Sequence, residues 1–345
     1  MPGQAYPGRL PYRGDVPSLN PAIAEIRLAV RTALADLPDG ATVMVALSGG
    51  ADSLALTAAT VFEARSRDMR VLSLTVDHQL QDGSDMIAAT AAVAAEGIRV
   101  HDALQTKVDV RDRGDGLEAA ARDARYAALR GIARAEKADA VLLGHTLDDQ
   151  AETVLLGLAR GSGATSLQGM SPVREDEDGL RWMRPLLGVR RETTRAFCAA
   201  SDLDVWDDPH NADDRFARAR VRERVLPVLE AELGPGIAQA LARTAEQLRE
   251  DAEAFDEMIH ETIEDIVEHA EAGISVSAAA LAANPAALRN RIIRLVVDSE
   301  FGIGLTRTQT VEVARLVTDW TGQGPIDLPG CTAARRGGRI EFAAR

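Results

Sequence analysis

Two short segments hold the residue types that chemistry needs. Ser48-Gly49-Gly50-Ala51-Asp52-Ser53 follows an apolar run and opens a stretch with helical spacing. Paired glycines let backbone N–H groups approach an anion, the helix N-terminus adds its positive end, and the serine hydroxyls add donors. Ser48, Gly49, Gly50, Ala51, Asp52 and Ser53 therefore read as a phosphate cradle. A carboxylate in such a place is repelled by phosphate unless a cation stands between them, so Asp52 points to Mg2+. No Gly-Lys-Ser/Thr follows, which excludes a Walker A loop. A plain capped turn would explain the glycines alone; the strand before and the helix after favour the phosphate reading.

The second segment is Gly144-His145-Thr146-Leu147-Asp148-Asp149-Gln150-Ala151-Glu152-Thr153, with Arg160-Gly161-Ser162-Gly163 close behind. If a helix starts near Asp148, then Glu152 lies four residues after Asp148 and three after Asp149, on a shared face. Three carboxylates and an imidazole suit cation handling or proton transfer. First-turn acids also complement a helix dipole, which accounts for Asp148 alone but not for the block. Upstream, Glu118, Arg122 and Arg125 fall at i, i+4 and i+7 and form one polar face.

Alternating strands and helices must position these segments. Asn20-Pro21 reads as an N-cap and first helical residue, and Ile23, Ile26, Val30, Leu34 and Leu37 follow at helical spacing. Strands are predicted at 42–47, 70–76, 98–104 and 140–143, with helices at 52–65, 84–96 and 116–137 between them. That alternation implies a doubly wound α/β domain with a parallel sheet and ligands at the strands' carboxyl ends. A strand at 181–183, a helix at 190–201 and a strand at 203–206 extend it. From Arg215 to Trp320 the chain reads as almost entirely helical, broken at Gly234-Pro235-Gly236, and 324–342 reads as a small hairpin. The expected organisation is a flexible segment 1–20, an α/β domain over 21–232, and a mainly helical C-terminal domain over 237–345.

With 345 residues, 46% hydrophobic and 27% charged, the composition excludes collagen-like, fibrous and wholly disordered classes. No apolar stretch is long enough to span a membrane, and the start of the chain has no secretory core. Cys198 and Cys331 are far apart and fit neither a disulfide framework nor a metal site, so a reduced cytoplasm is the expected location. The net charge of −14 argues against a nucleic-acid partner when taken globally. Its distribution does not, because Lys107 and Lys137 are the only lysines and five arginines fall between Arg215 and Arg224.

Ser-Gly-Gly-x-Asp-Ser resembles the PP-loop of the N-type ATP pyrophosphatases, which split ATP between the α and β phosphates. The block from Gly144 to Thr153 resembles the motif of the tRNA(Ile)-lysidine synthase family. Leu117–Tyr126, Arg184-Pro185-Leu186-Leu187, and Asp207–Asn211 with Phe216–Pro227 resemble further segments of that family. This chain departs from its pattern at His210, Ala219 and Cys331. The resemblance implies a PP-loop fold and ligation of L-lysine to the wobble cytidine of a CAU-anticodon tRNA(Ile) through an adenylated base. ATP and Mg2+ are the implied cofactors, and a homodimer is one expected assembly. Asp52 and Asp149 are the expected metal contacts, and Arg122 or Arg125 the expected cations for phosphoryl charge. Asp148, Glu152 or His145 is expected to take the lysine proton. Arg218 and Arg222, on one helix face, are expected to touch tRNA, leaving Arg220 and Arg224 to ion-pair with nearby acids. Thiolating PP-loop enzymes are disfavoured by the missing Cys-x-x-Cys. Pro2 excludes the glutamine-dependent asparagine synthetases, and GMP synthetases lack the His-Asp-Asp block. A non-catalytic nucleotide sensor would need the loop but neither the acid block nor the arginine helix.

Overall fold

A computed structural model describes residues 20–79, 84–110, 117–161, 163–207, 213–270 and 273–345. The segment 1–19, Ser162 and residues 208–212, His210 among them, lie outside that description. The chain forms two compact units, one ending at Glu246 and the other spanning Gln247–Arg345.

The first unit opens with α1 (Pro21–Leu34), where the Asn20 Oδ1 accepts from the Ala22 N–H at 2.9 Å and Pro21 takes the first turn. There follow β1 (Thr42–Ala46), α2 (Ala51–Ala64), β2 (Arg70–Asp77), α3 (Ser84–Ile98), β3 (Asp102–Lys107) and α4 (Leu117–Ala135). Then come β4 (Ala140–Leu142), α5 (Leu147–Ala159), α6 (Gly163–Leu167), β5 (Val173–Glu175), β6 (Arg181–Met183) and α7 (Arg191–Ala200). Strand order is β3-β2-β1-β4-β6-β5, parallel except for β5, which runs antiparallel to β6. The chain winds outward from β1 in one direction and from β4 in the other. Their carboxyl ends therefore frame the crevice where doubly wound sheets bind ligands.

Side-chain alternation explains why β1 can be apolar throughout. Val43 and Val45 enter a core with Ile26, Val30 and Leu34 of α1, Leu54 of α2 and Phe197 of α7. Met44 faces the other way, onto Leu129 of α4, Val141 and Trp182. Both faces of the sheet are covered, as parallel sheets require. Truncating such a buried Leu or Ile to Ala costs about 2–5 kcal/mol.

Two expected strands differ. The one predicted at 98–104 lies at Asp102–Lys107, because Ile98 ends α3 and the Val100 N–H bonds back to the Ala95 carbonyl. The strand predicted at 203–206 joins no sheet. That segment is tied by Leu203 N–H to the Cys198 carbonyl and by Trp206 N–H to the Gly49 carbonyl.

Beyond it, α8 (Ala217–Arg220), a π-helical turn at Val221–Val225 and α9 (Leu226–Leu233) lead to α10 (Ile237–Ile266). Gly234-Pro235-Gly236 does break the helix, but the two units part inside α10. The second unit holds β7 (Val267–Ala270), β8 (Gly273–Ser277), α11 (Ala278–Ala283), α12 (Ala286–Phe301), α13 (Arg307–Thr318), β9 (Ile326–Leu328), β10 (Cys331–Arg336) and β11 (Arg339–Ala344). The expected hairpin is β10–β11, and it belongs to a five-stranded antiparallel sheet, β7-β8-β11-β10-β9. Residues 267–277, expected to be helical, supply two of its strands. Ile274 and Val276 of β8 pack with Ile340 and Phe342 of β11 against Ile292 and Val296 of α12. Among the described residues no helix is long and apolar enough to cross a membrane.

Candidate active site

The predicted phosphate loop joins β1 to α2. Gly49 has φ +83°, and a Cβ there would lie 3.5 Å from the Ala91 Cβ and 3.8 Å from that of Trp206. Only glycine adopts this backbone freely. Ser53 folds its hydroxyl inward, accepting from the Ser48 N–H at 3.1 Å and donating to the Gly50 carbonyl at 3.0 Å. The loop is thus closed on itself before any ligand arrives. Gly144 permits the end of β4 to touch the first turn of α2, since a Cβ there would stand 3.2 Å from Asp52 C and Ser53 N. Apart from the loop residues, a cavity of about 300 Å3 opens at the ends of β2 and β3, lined by Asp77, Asp85, Ala88, Gln105, Thr106 and Lys107.

The acid block starts α5 as expected. Thr146 is its N-cap, and the Asp149 Oδ2 accepts from both the Thr146 N–H at 2.8 Å and its hydroxyl at 2.9 Å, completing a capping box. Asp149 Oδ1 is free for other work, and two arginines take it. Arg191 Nη2 donates at 2.8 Å and Arg222 Nη2 at 3.3 Å. Glu152, wholly buried, receives Arg222 Nε at 2.8 Å and Arg191 Nη2 at 3.2 Å, with Arg218 Nε at 3.6 Å. Asp148 accepts from the Arg191 backbone N–H at 2.8 Å and pairs with Arg190 at 3.2 Å. Asp52 meets the Thr194 hydroxyl, with Arg191 Nε 3.7 Å from its other oxygen. The first turn of α7 therefore clamps the loop acid to the block acids.

Their titration follows from this packing. Burial lifts the Asp52 carboxyl, the Thr194 hydroxyl pulls it back and the Asp149 charge adds to the rise, leaving it at about 6. Burial would lift Asp149 too, but Arg191, the neighbouring imidazole, the Thr146 N–H and Arg222 outweigh it and hold it below its ordinary value. Burial pushes His145 down to about 3, against the Asp149 charge and helped by Arg184, Arg125 and Arg122.

A cationic wall faces His145. Arg122 and Arg125 lie 5.0 and 5.8 Å from the centre of the Tyr126 ring, which itself packs on Trp182 at 5.0 Å. Arg184 is 8% exposed and donates from Nη1 to the Ser171 carbonyl at 2.8 Å. The Nε atoms of Arg125 and Arg184 and the Nδ1 atoms of His78 and His145 are enclosed without a hydrogen-bond partner.

The expected residues Ser48 to Ser53, His145, Asp148, Asp149 and Glu152 thus gather at one crevice, with Arg122 and Arg125 on the wall facing His145. The arginine helix divides as its spacing predicts for Arg218, Arg222 and Arg224, but Arg215, expected one position off the Arg218 face, and Arg220, expected to meet an acid, do not follow it. Arg218 and Arg222 face Thr153, Asp149 and Glu152, while Arg215 and Arg224 pair with Asp213 and Asp214, and Arg220 with main-chain carbonyls. The tRNA contact expected of Arg218 and Arg222 thus competes with these internal pairs. We expect Arg222→Ala to lose turnover while Arg224→Ala, at an exposed pair, keeps it. Measuring tRNA affinity at two salt concentrations separates the roles. A slope of log K on log salt flatter by about one unit would assign Arg222 a phosphate contact instead.

Sequence reasoning missed Arg190, Arg191, Thr194 and His78, and noted Arg184 only as part of a family segment without a role. The arginine doublet at the start of a helix was the available signal, but it looks like any solvated pair in a chain that uses arginine for nearly all its positive charge.

Mg2+ fits the donor set in one respect. Asp52 and Asp149 are close enough for one carboxylate's charge to raise the other's pKa, a strain that a bridging cation relieves. Among the described residues no cluster of three His, Cys, Asp or Glu could hold an ion without further ligands, so phosphate oxygens would have to complete the shell.

Residues 24–229 match the PP-loop domain family, and residues 277–341 match the TilS substrate binding domain. The tRNA(Ile)-lysidine synthase of Leifsonia xyli is 55% identical over 307 residues, covering 89% of this chain and 91% of that protein. The corresponding protein of Streptomyces coelicolor is 46% identical over 93% of this chain and 98% of its own. Among solved structures, the U34-tRNA thiolase NcsA of Methanococcus maripaludis, with its [4Fe-4S] cluster, superposes with a TM-score of 0.57. At 19% identity, over 66% of this chain and 80% of that one, it shares the fold. Identity this high over nearly the whole chain, on a fold that joins a PP-loop to a Gly-His-Thr-Leu-Asp-Asp-Gln helix, places the chain in the tRNA(Ile)-lysidine synthase family.

Proposed function

We propose that this chain is an ATP-dependent ligase that joins lysine to the wobble cytidine of CAU-anticodon tRNA(Ile), releasing AMP and pyrophosphate. The observation carrying this reading is the clamp that α7 makes between Asp52 of the phosphate loop and the acids of α5. Adenylation of the carbonyl oxygen needs a phosphate site, amine attack on the carbon that bears it needs a proton acceptor, and both must act on one base. A nucleotide sensor has no use for the second half.

The loop N–H groups and the α2 N-terminus hold the ATP phosphates. When bound, Mg2+ would be held by Asp52 and by Asp149, whose Oδ1 would exchange its bonds from Arg191 and Arg222 for the ion, and it would neutralise phosphate oxygens. The cytidine leaves its stack to reach the loop. Its carbonyl oxygen attacks the α-phosphate and pyrophosphate leaves, with Arg122, the exposed arginine of the wall, meeting the charge that develops. The lysine amine then attacks the adenylated carbon, and AMP departs with the former carbonyl oxygen. For that attack lysine must shed a proton from an ammonium of pKa about 10.4. His145, held at about 3, is too weak a base to take it. Glu152 is sealed beneath arginines, whereas Asp148 reaches solvent, so Asp148 is the acceptor we propose.

The test is mass spectrometry of nucleosides from tRNA(Ile) incubated with the protein, ATP and lysine. Lysidine with stoichiometric AMP is the expected result; AMP release without lysidine overturns the reading.

Thiol chemistry has little to build on. Cys198 and Cys331 are both free and buried, each in the core of a different unit. Burial pushes the Cys198 thiol up to about 11, so it is a poor nucleophile. The double variant Cys198→Ser, Cys331→Ser is expected to keep its turnover within a few-fold and to lose some thermal stability. Lost turnover in a folded double variant would reopen a sulfur-transfer role.

A further inference from the structure

Arg191 stands at the wrong end of its helix. It opens α7, where the helix macrodipole favours an acid and opposes a cation. Carboxylates from two other elements hold its guanidinium there. Nη2 lies 2.8 Å from Asp149 Oδ1 and 3.2 Å from Glu152 Oε1, and Nε lies 3.7 Å from Asp52 Oδ2. Arg222 also reaches Asp149 and Glu152, and Arg218 reaches Glu152. Neither of them pairs with Asp52 among the described residues. Arg191 is thus the guanidinium that spans the acid of the phosphate loop and the acids of α5.

That span joins the two carboxylates expected to hold the metal ion. Their surroundings are balanced without it. Asp52, Asp148, Asp149 and Glu152 are met by Arg190, Arg191, Arg218 and Arg222, so every carboxylate has a guanidinium to match. The charges of Arg122, Arg125 and Arg184, which bear on the adjoining His145, add to the positive side. A bare divalent cation gains little in such a place. The acids it would bind are already paired, and the guanidinium it displaces is left without an anion. A nucleotide changes this balance. Its phosphates bring negative charge in with the ion, and their oxygens accept a forked guanidinium as readily as a carboxylate does.

We propose that Arg191 is the resident counter-cation of Asp52 and Asp149 and makes entry of the metal ion conditional on the nucleotide. It is a positioning residue. Without nucleotide it holds the two carboxylates at one place and keeps a bare ion out; it yields Asp149 Oδ1 when ion and triphosphate arrive together. This rests on the proposed ATP-dependent reaction, in which that acid pair holds the metal. It explains why Arg191 is present although Arg222 already meets the acids of α5: its own contact is the one to the loop.

The experiment measures metal binding directly. Mn2+, a paramagnetic stand-in for Mg2+, is titrated into the nucleotide-free protein at a pH well above 6, where Asp52 is ionised, and the free-ion EPR signal is followed. The wild type is expected to bind the bare ion weakly. Arg191→Gln, which removes the charge but keeps an amide donor, should bind it at least about 10-fold more tightly, the scale of removing a unit charge a few ångströms away. The fold should survive, because Arg222 still meets Asp149 and Glu152 and the Thr194 hydroxyl still meets Asp52. Arg191→Lys, which keeps the charge, should show little of the gain. The gain should vanish in the double variant Asp52→Asn, Arg191→Gln, and also when a non-hydrolysable ATP analogue is present. A folded Arg191→Gln protein that binds Mn2+ no more tightly than the wild type overturns the proposal. So does a gain that persists without the Asp52 charge. If Arg191→Gln does not fold, the wild type decides alone: Mn2+ bound as tightly without the analogue as with it overturns the proposal. A wild type that forms no lysidine from tRNA(Ile), ATP and lysine would instead defeat the proposed function, a result separate from the Mn2+ titrations.

Discussion

Asp52→Asn is expected to reduce pyrophosphate release at least about 10³-fold, the scale of removing a group that compensates transition-state charge. The amide keeps the volume and can still accept from the Thr194 hydroxyl, so the fold should survive. What is lost is the negative charge that draws a cation to the phosphates. A pH signature accompanies it. With its carboxyl at about 6, wild-type Asp52 must shed a proton to accept a cation. Affinity for the magnesium nucleotide should therefore fall as pH drops through about 6, and the Asn variant should show no such step. Stability has the opposite sign. A carboxyl raised above its unfolded value of about 3.9 favours the folded state when protonated, so stability falls as pH rises from there to about 6. Near wild-type pyrophosphate release by a folded Asp52→Asn protein would sink the assignment.

Glu152→Ala is expected to destabilise the first unit by about 3–5 kcal/mol, because it strands guanidiniums in a buried place. Glu152 is fully buried and lies within 3.6 Å of Arg191, Arg218 and Arg222 at once. Removing it leaves Asp149 as the neighbouring acid for Arg191 and Arg222, and Asp149 is already committed to the helix cap. The control is Arg224→Ala, whose exposed pair with Asp214 is worth at most about 1 kcal/mol. Urea unfolding midpoints measure both. A Glu152→Ala protein as stable as Arg224→Ala would mean that the cluster is held by something other than its charges.

The readable parts of the molecule are those where local pattern and tertiary role coincide. The run from Thr42 to Ser53 announces strand, loop and helix in one piece, because a buried parallel strand is apolar on both faces. The Thr146–Asp149 cap likewise begins its helix within four residues. Edge strands are harder. Asp102–Lys107 is largely solvated, so its hydrophobic signal is weaker than that of Ile98 and Val100 just before it. The strands of 267–277 follow a 30-residue helix rich in Ala and Glu, whose periodicity masks them. The alternation of Ile274 and Val276 was the cue, over only five residues. Arg191 is illegible for a different reason. Its partners lie far back along the chain, at Asp52, Asp149 and Glu152, and no local spacing reports contacts of that range.

That span in sequence has a consequence during synthesis. The phosphate loop emerges early, but the Trp206 N–H that holds Gly49 and the arginines that settle the acids come much later, up to Arg222. At translation speeds of roughly 5–20 residues per second, the interval from Asp52 to Arg222 is about 10–30 s. Through that interval the nascent polypeptide carries acids whose partners arrive in order, Arg190 and Arg191 first and then Arg218 and Arg222. The acids of α5 thus acquire their full set of partners only once the arginine helix has been made.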